Sequence, residues 1–283
     1  MKTDSLFEAQ NPLEERLGKS FFDELPKTSG VYKMYGCKKS LLYVGKAKNL
    51  RSRLFTYRRV NNDNSSRKVR RLVRLVRQIA LEELPSEEKA LLRENELIRR
   101  HRPPFNRAKK TPETYYYVSA VPKNKVVTFQ LRMHLPEEHT EYTYGAFKGH
   151  GRVRRAMGAL LRQLYITTHG LNTPFDLPGQ LSQKFTPMYF QLELNRDKQL
   201  LVRDYLQGLS DELLYVVIDD HIQNNRLEEF IGKLILKDME ALRWFYGGCT
   251  HRNFEIREKL NLDDELIPQE KLDDYLVRLA FME

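Results

Sequence analysis

The sequence predicts an α+β fold in two modules. Short β-rich runs at 31–35 and 41–44 stand close together early in the chain, and a second pair follows at 115–121 and 126–134. Segments with helical periodicity fill much of the remainder and dominate from Arg196 onward. Charge then divides the chain. Residues 1–110 hold 27 Lys and Arg against 13 Asp and Glu, a net of +14, and the rest holds 21 against 25, a net of −4. The expected parts are an N-terminal arm or helix at 1–26, a basic module at 27–113 and a second, mostly helical module with a β-hairpin at 114–283.

Composition narrows the function classes. With 41% hydrophobic and 30% charged residues, the chain can bury a core and keep a charged surface. No apolar run approaches the roughly 20 residues of a membrane span, and residues 1–20 lack the apolar stretch of a signal peptide. A cytoplasmic protein without membrane contact is expected. Cys37 and Cys249 lie too far apart in sequence for a disulfide framework, and two thiolates complete neither a zinc nor an iron–sulfur site. His134, His139, His150 and His169 stand in no zinc-ligand spacing with them. Basicity confined to one module points to a polyanion, nucleic acid first, against a merely solvated surface.

In chain order, the arm mixes charges with Phe7, Leu13, Leu17, Phe21 and Phe22, and residues 26–30 form a turn. The runs at 31–35 and 41–44 form a hairpin. Pairing Tyr32 opposite Tyr43 sets two phenol rings side by side, although strand tyrosines also simply pack. Asn49 caps a helix running to about Arg58, on which Arg53 and Tyr57 share a face. Residues 61–66 are a polar loop. A helix over 66–81 carries an apolar stripe (Val69, Leu72, Val73, Val76, Ile79, Ala80) and a basic stripe of Arg67, Arg70, Arg71, Arg74 and Arg77. No acid interrupts the basic stripe, so it suits a phosphate track as well as a solvated face. Ser86 caps the next helix, with Glu87 and Glu88 at its positive end. There Glu94 falls within the apolar stripe of Ala90, Leu91, Leu97 and Ile98, while Glu96 faces away. A carboxylate in that position needs a cationic partner or a metal. Pro103-Pro104 ends the helix and Asn106 follows in extended chain.

The second hairpin turns around Pro122-Lys123-Asn124. Tyr142 to Gly145 leads into a helix at about 152–165, and 172–187 reads as a loop. Helices are clearest at 199–206, 226–246 and 271–281, broken at Gly247-Gly248. The expected core of this module comprises Leu160, Leu161, Leu164, Leu213, Val217, Phe230, Leu234, Leu242, Phe245, Leu276 and Leu279.

Gly30-Val31-Tyr32, then Tyr43-Val44-Gly45, then Lys46-Ala47-Lys48-Asn49-Leu50-Arg51-Ser52-Arg53-Leu54 resemble a GIY-YIG nuclease domain. The resemblance is to the UvrC family of the ABC excinucleases, and within it to the short Cho-type proteins. The block from Ala90 to Pro103 is similar to the third block of that family. Val31 stands where the family name has isoleucine. The resemblance implies a small mixed sheet flanked by helices and one divalent ion, Mg²⁺ or Mn²⁺, with Glu94 as its only direct protein ligand. It implies Tyr32 and Tyr43 flanking the attacking water with Lys46 beside them, without settling which is the base; Tyr32 is taken as base and Tyr43 as positioning the water, with nearby cations lowering the phenol pKa. Arg53 neutralises charge on the phosphate with Tyr57 next to it, and Asn106 closes the site. Lys48, Arg51 and the basic stripe are candidate DNA contacts. The second module resembles the segment that follows this domain in the family, without its cysteine cluster, so no iron–sulfur cluster is implied.

The function so implied is a single incision on the 3′ side of a lesion in nucleotide excision repair. Its substrate would be lesion-containing duplex DNA, with the damage-recognition helicase UvrB as implied partner. Two alternatives remain open at this point: a non-catalytic DNA-binding or scaffold protein on the same fold, and a GIY-YIG nuclease of another pathway such as recombination or mobile-element defence.

Overall fold

The early hairpin is the spine of the first unit. In the computed structural model, β1 (Gly30–Tyr35) and β2 (Leu41–Ala47) pair antiparallel around a short helical turn, Cys37–Lys39. The structure describes residues 12–60, 65–106, 115–135, 140–182 and 186–282. Expectations for 1–11, 61–64, 107–114 and His139 lie outside the described residues. The chain divides into two compact units, 1–112 with 280–283, and 113–279.

The second edge of β1 corrects the sequence reading. The helix expected over 66–81 stops early: α4 ends at Leu75 and the chain turns extended at Val76. Residues Gln78–Glu83 form β3, which pairs antiparallel with β1. The helical and extended stretches share one apolar periodicity, and only the open edge of β1 decides where one becomes the other. The sheet order is β2-β1-β3 and every pair is antiparallel, where the resemblance implied a mixed sheet.

Helices cover both faces of this sheet. On one lie α1 (Pro12–Leu17), α2 (Lys19–Asp23), α3 (Leu50–Arg58) and α4 (Arg67–Leu75), packed around Tyr32, Met34, Leu54 and Leu72. Arg58 donates two hydrogen bonds to Glu14, and Arg16 donates to the carbonyls of Val73 in α4 and of Val76 just beyond it. On the other face lies α5 (Glu87–His101), whose Ala90, Leu97 and Ile98 pack on Val31 and Val44. The caps at Asn49 and Ser86 fall where expected, their side chains accepting from the amides of Ser52 and Lys89, and Ser66 caps α4 in the same way through the amide of Val69.

In the second unit, β4 (Tyr115–Lys123), β5 (Val126–Arg132), β6 (Thr143–Lys148) and β7 (Tyr189–Glu193) form an antiparallel sheet of order β6-β4-β5-β7. Residues 143–148 are thus a strand, and α6 is longer than expected, His150–His169. β7 alternates buried Phe190 and Leu192 with exposed neighbours, a period of two that the sequence reading passed over. The helices α7 (Gly179–Ser182), α8 (Arg196–Gln207), α9 (Glu212–Gln223), α10 (Gly232–Phe245), α11 (His251–Leu260) and α12 (Gln269–Ala280) complete the unit. The Gly247-Gly248 pair does not break the chain; a π-helical turn, Tyr246–Thr250, carries α10 into α11. Most expected core residues are buried, but Phe230 sits in the turn before α10, is 72% exposed and stacks on Phe175. No described helix is long and apolar enough to cross a membrane.

Candidate active site

Tyr32 and Tyr43 come together, in a register other than the expected one. Tyr32 pairs with Gly45 and Tyr43 with Met34, a shift of two residues. Because side chains alternate, a two-residue shift keeps both rings on one face as diagonal neighbours. Their centroids are 6.0 Å apart. The ring of Tyr32 lies across Gly45, where an added Cβ would come within 2.4 Å of its Cζ and hydroxyl. That close approach is the physical reason for glycine in the Tyr43-Val44-Gly45 motif.

Helix α3 supplies the next groups. Tyr57 is buried and its hydroxyl lies 3.2 Å from that of Tyr32. Arg53 Nε donates to the Tyr32 hydroxyl at 3.2 Å, and its guanidinium lies 5.4 Å from the Tyr57 ring. The four-residue spacing on one helical face delivers both groups to one point.

Strand β2 is one of the two edges of the sheet, and its outward groups are taken by residues near the site. Phe105 N donates to Leu42 O at 2.9 Å. The Asn106 amide accepts from Val44 N at 2.9 Å and donates to Val44 O at 2.7 Å, so one side chain stands in for a paired strand residue. Asn106 therefore fixes β2 beside Tyr43. Next along the edge, Lys46 N donates to Glu94 Oε1 at 2.9 Å. The Glu94 carboxylate is half-buried and reaches the end of the strand that carries Tyr43. Lys46 Nζ is 2.7 Å from Glu87 Oε1, and this pairing holds the Glu87 carboxyl below its usual range. The lysine expected beside the tyrosines is thus held by an acid at the start of α5, where the sequence predicts only a helix-end charge.

The electrostatics run opposite to the expected lowering of the two phenols. Burial, then the neighbouring Tyr57 and Tyr43, push the Tyr32 phenol well above its usual range, and Arg53 offsets only part of this. Tyr43 is pushed up to about 12, first by burial, then by Tyr57, and also by the negative Glu94. The expected lowering by cations is absent because desolvation outweighs a single guanidinium. Tyr32 is fully buried, whereas Tyr43 is half-exposed and faces Glu94. Of the two phenols, only Tyr43 reaches the surface.

Two basic clefts flank this centre. One, of about 810 Å³, is lined by Arg51, Arg53, Tyr57, Arg59 and Lys27 among others. The second, of about 820 Å³, has Arg67, Lys68, Arg70, Arg71 and Arg74 with Pro104 and Phe105. Of the expected phosphate contacts, Arg51 lies in the first and four of the five stripe arginines in the second. Lys48 is exposed outside both, and Arg77 lies beyond the end of α4 with its amide on Tyr35 O at 2.7 Å.

Among the described residues no group of three or more His, Cys, Asp or Glu side chains converges on a metal site. A single half-buried carboxylate with one oxygen already oriented by a backbone amide suits Mg²⁺, which keeps several waters and binds through few carboxylates. Glu94 fits such an ion.

Residues 28–107 match the UvrC-like GIY-YIG domain, and this part of the chain is a domain of that family. The chain is 31% identical over 160 residues to UvrABC system protein C of Cytophaga hutchinsonii, covering 56% of this chain and 26% of that protein. It is 28% identical over 275 residues to the same protein of Synechococcus sp. (strain CC9605), covering 92% and 38%. A third relative, from Psychrobacter sp., is 41% identical over 118 residues, covering 42% and 19%. The chain thus spans well under half the length of these relatives. The GIY-YIG N-terminal endonuclease domain of UvrC from Thermotoga maritima, solved bound to its catalytic divalent cation, magnesium, is 29% identical. That match covers 31% of this chain and 92% of that domain, with a TM-score of 0.28.

Proposed function

We propose that the chain is a metal-dependent DNA endonuclease that hydrolyses one phosphodiester bond on the 3′ side of a lesion in nucleotide excision repair. The observation that carries this reading is the meeting of Glu94, Tyr43 and Arg53 at the open end of β2, beside a cleft lined by cations. The relatives named UvrABC system protein C support the pathway and make UvrB a candidate partner.

Glu94 would hold one divalent cation, Mg²⁺ or Mn²⁺, which when bound would act as a Lewis acid on the phosphoryl oxygens. Arg53, which stays protonated at neutral pH as arginine does, neutralises charge that develops on the phosphate. Tyr57 and Tyr32 hold that guanidinium in place from the buried side. Tyr43 orients the attacking water through its hydroxyl. It becomes a base only where a positive charge offsets its burial, since at about 12 it is protonated at neutral pH. Asn106 and Gly45 are positioning residues: one ties down β2, the other makes room for the Tyr32 ring.

The test is nicking of supercoiled plasmid with Mg²⁺ by wild type and Glu94→Gln. Glu94→Gln should bind DNA with unchanged affinity and fail to nick. Retained Mg²⁺-dependent nicking by the variant would remove Glu94 from the chemistry. Incision of a defined lesion duplex, with and without UvrB, separates the repair reading from a nuclease of another pathway.

A further inference from the structure

The cleft beside α4 contains more than charge. Its five cations face a wall made by Pro104 and Phe105, and among the described residues no carboxylate lines it. Phe105 packs part of its ring on the core of the unit and lines the cleft with the rest. Its backbone is fixed by the hydrogen bond to Leu42 O, and the next residue is clamped to Val44. The ring is therefore a platform that loses little freedom on contact with a ligand.

A duplex offers phosphates and groove edges, but the faces of its bases are stacked inside. A fixed aromatic ring among arginines gains from DNA only where a base is unpaired, and then by about 1–3 kcal/mol per base. From Arg67 to Arg74 the helix rises about 10 Å, so the four arginines that line the cleft are spread along it. A phosphate track would need the arginines alone; the aromatic wall is what a single strand adds.

We propose that this cleft is a single-strand site, in which the arginines of α4 hold the phosphates of an unpaired segment and Phe105 stacks on one of its bases. The inference rests on the DNA-nuclease reading and specifies its substrate as DNA opened near the incision. Phe105 and Asn106 bond to Leu42 and Val44 of β2, so the stacked base is held on the same strand edge that carries Tyr43 and Glu94.

The test uses the full chain and a thymidine oligonucleotide of about 12 residues with one central 2-aminopurine, alone and paired with its complement. Binding is read by anisotropy and stacking by quenching of 2-aminopurine. Phe105→Leu keeps an apolar side chain against the core but has no π face; Phe105→Tyr keeps the face. The wild type and Phe105→Tyr should prefer the single strand and quench the probe. Phe105→Leu should lose about 5- to 150-fold in single-strand affinity and leave duplex affinity unchanged. Arg71→Gln should lower the single-strand salt slope by about 0.7. Equal single-strand affinity of Phe105→Leu and wild type, equal losses in both Phe105 variants, a wild-type preference for duplex, or an unchanged salt slope would overturn the proposal. Plasmid nicking is measured alongside. Nicking with no effect of Phe105→Leu on binding defeats this inference alone; Phe105-dependent single-strand binding without nicking defeats the nuclease reading alone.

Discussion

Asn106 is the most consequential residue outside the chemistry, and its loss can be worked out from its contacts. Its side chain makes two hydrogen bonds to one residue, at 2.9 and 2.7 Å, and that residue, Val44, is fully buried. Asn106→Ala orphans a buried amide and a buried carbonyl together. At about 1–3 kcal/mol for each orphaned group, the cost is about 2–6 kcal/mol, nearer the lower figure because water can enter at an edge strand. Asn106→Asp is the sharper test. Its carboxylate still accepts from Val44 N but sets a second negative oxygen against Val44 O, so it should be no better than alanine. Urea unfolding followed by circular dichroism measures the loss, since the single tryptophan, Trp244, reports on the other unit. Amide exchange at Val44 locates it. A loss below about 1 kcal/mol in both variants, with Val44 still protected, would show that the edge of β2 does not depend on this clamp.

Arg53→Ala should slow nicking roughly 10²–10³-fold, by analogy with loss of a preorganised donor to a developing oxyanion, with DNA affinity little changed; an unaltered rate removes it from the site. Arg74→Ala should instead weaken binding to all DNA sequences and lower the salt slope by about 1, and an unchanged slope would reduce the α4 stripe to a solvated face. The second unit should be acid-sensitive through His221, which is buried, bonded to Gln163 and held down to about 4, chiefly by burial. A base depressed in the folded state protonates first when unfolded, so stability is full above about 6.5 and falls as pH drops toward 4. His221→Gln should flatten that part of the pH profile of tryptophan-monitored unfolding; an identical slope would assign the acid sensitivity elsewhere.

Local signals were legible wherever one side chain or one repeat decides the outcome. The caps at Asn49 and Ser86 needed only a side chain and an amide three residues on. The face shared by Arg53 and Tyr57 needed only helical spacing. What the sequence hid were outcomes set by partners far along the chain. Residues 78–83 carry the apolar spacing of α4, and only pairing with β1 makes them a strand. The tyrosine register was misread because the turn at Cys37–Lys39 and the irregularity after Met34 set the pairing, and neither has a strong sequence signature. The burial that raises both phenols cannot be read from a motif. The roles of Asn106 and Glu87 rest on contacts over 62 and 41 residues of sequence.

The edge of β2 explains why Glu94 and Asn106 belong to one argument. An open strand edge pairs with whatever it meets unless something covers it. Here the covering groups are Phe105, Asn106 and Glu94, in order along the strand, so the residues that protect the edge also frame the site. The proposed metal role of Glu94 and its hydrogen bond to Lys46 N can be separated by substitution. Glutamine retains an oxygen able to accept from Lys46 N while removing the charge a hard cation requires. Alanine removes both. Glu94→Gln should therefore stay as stable as wild type without nicking, and Glu94→Ala should lose about 1–3 kcal/mol of stability as well. Equal stability of all three proteins would mean that the hydrogen bond to Lys46 contributes nothing to the fold, and that the carboxylate is held at the strand end by α5 alone.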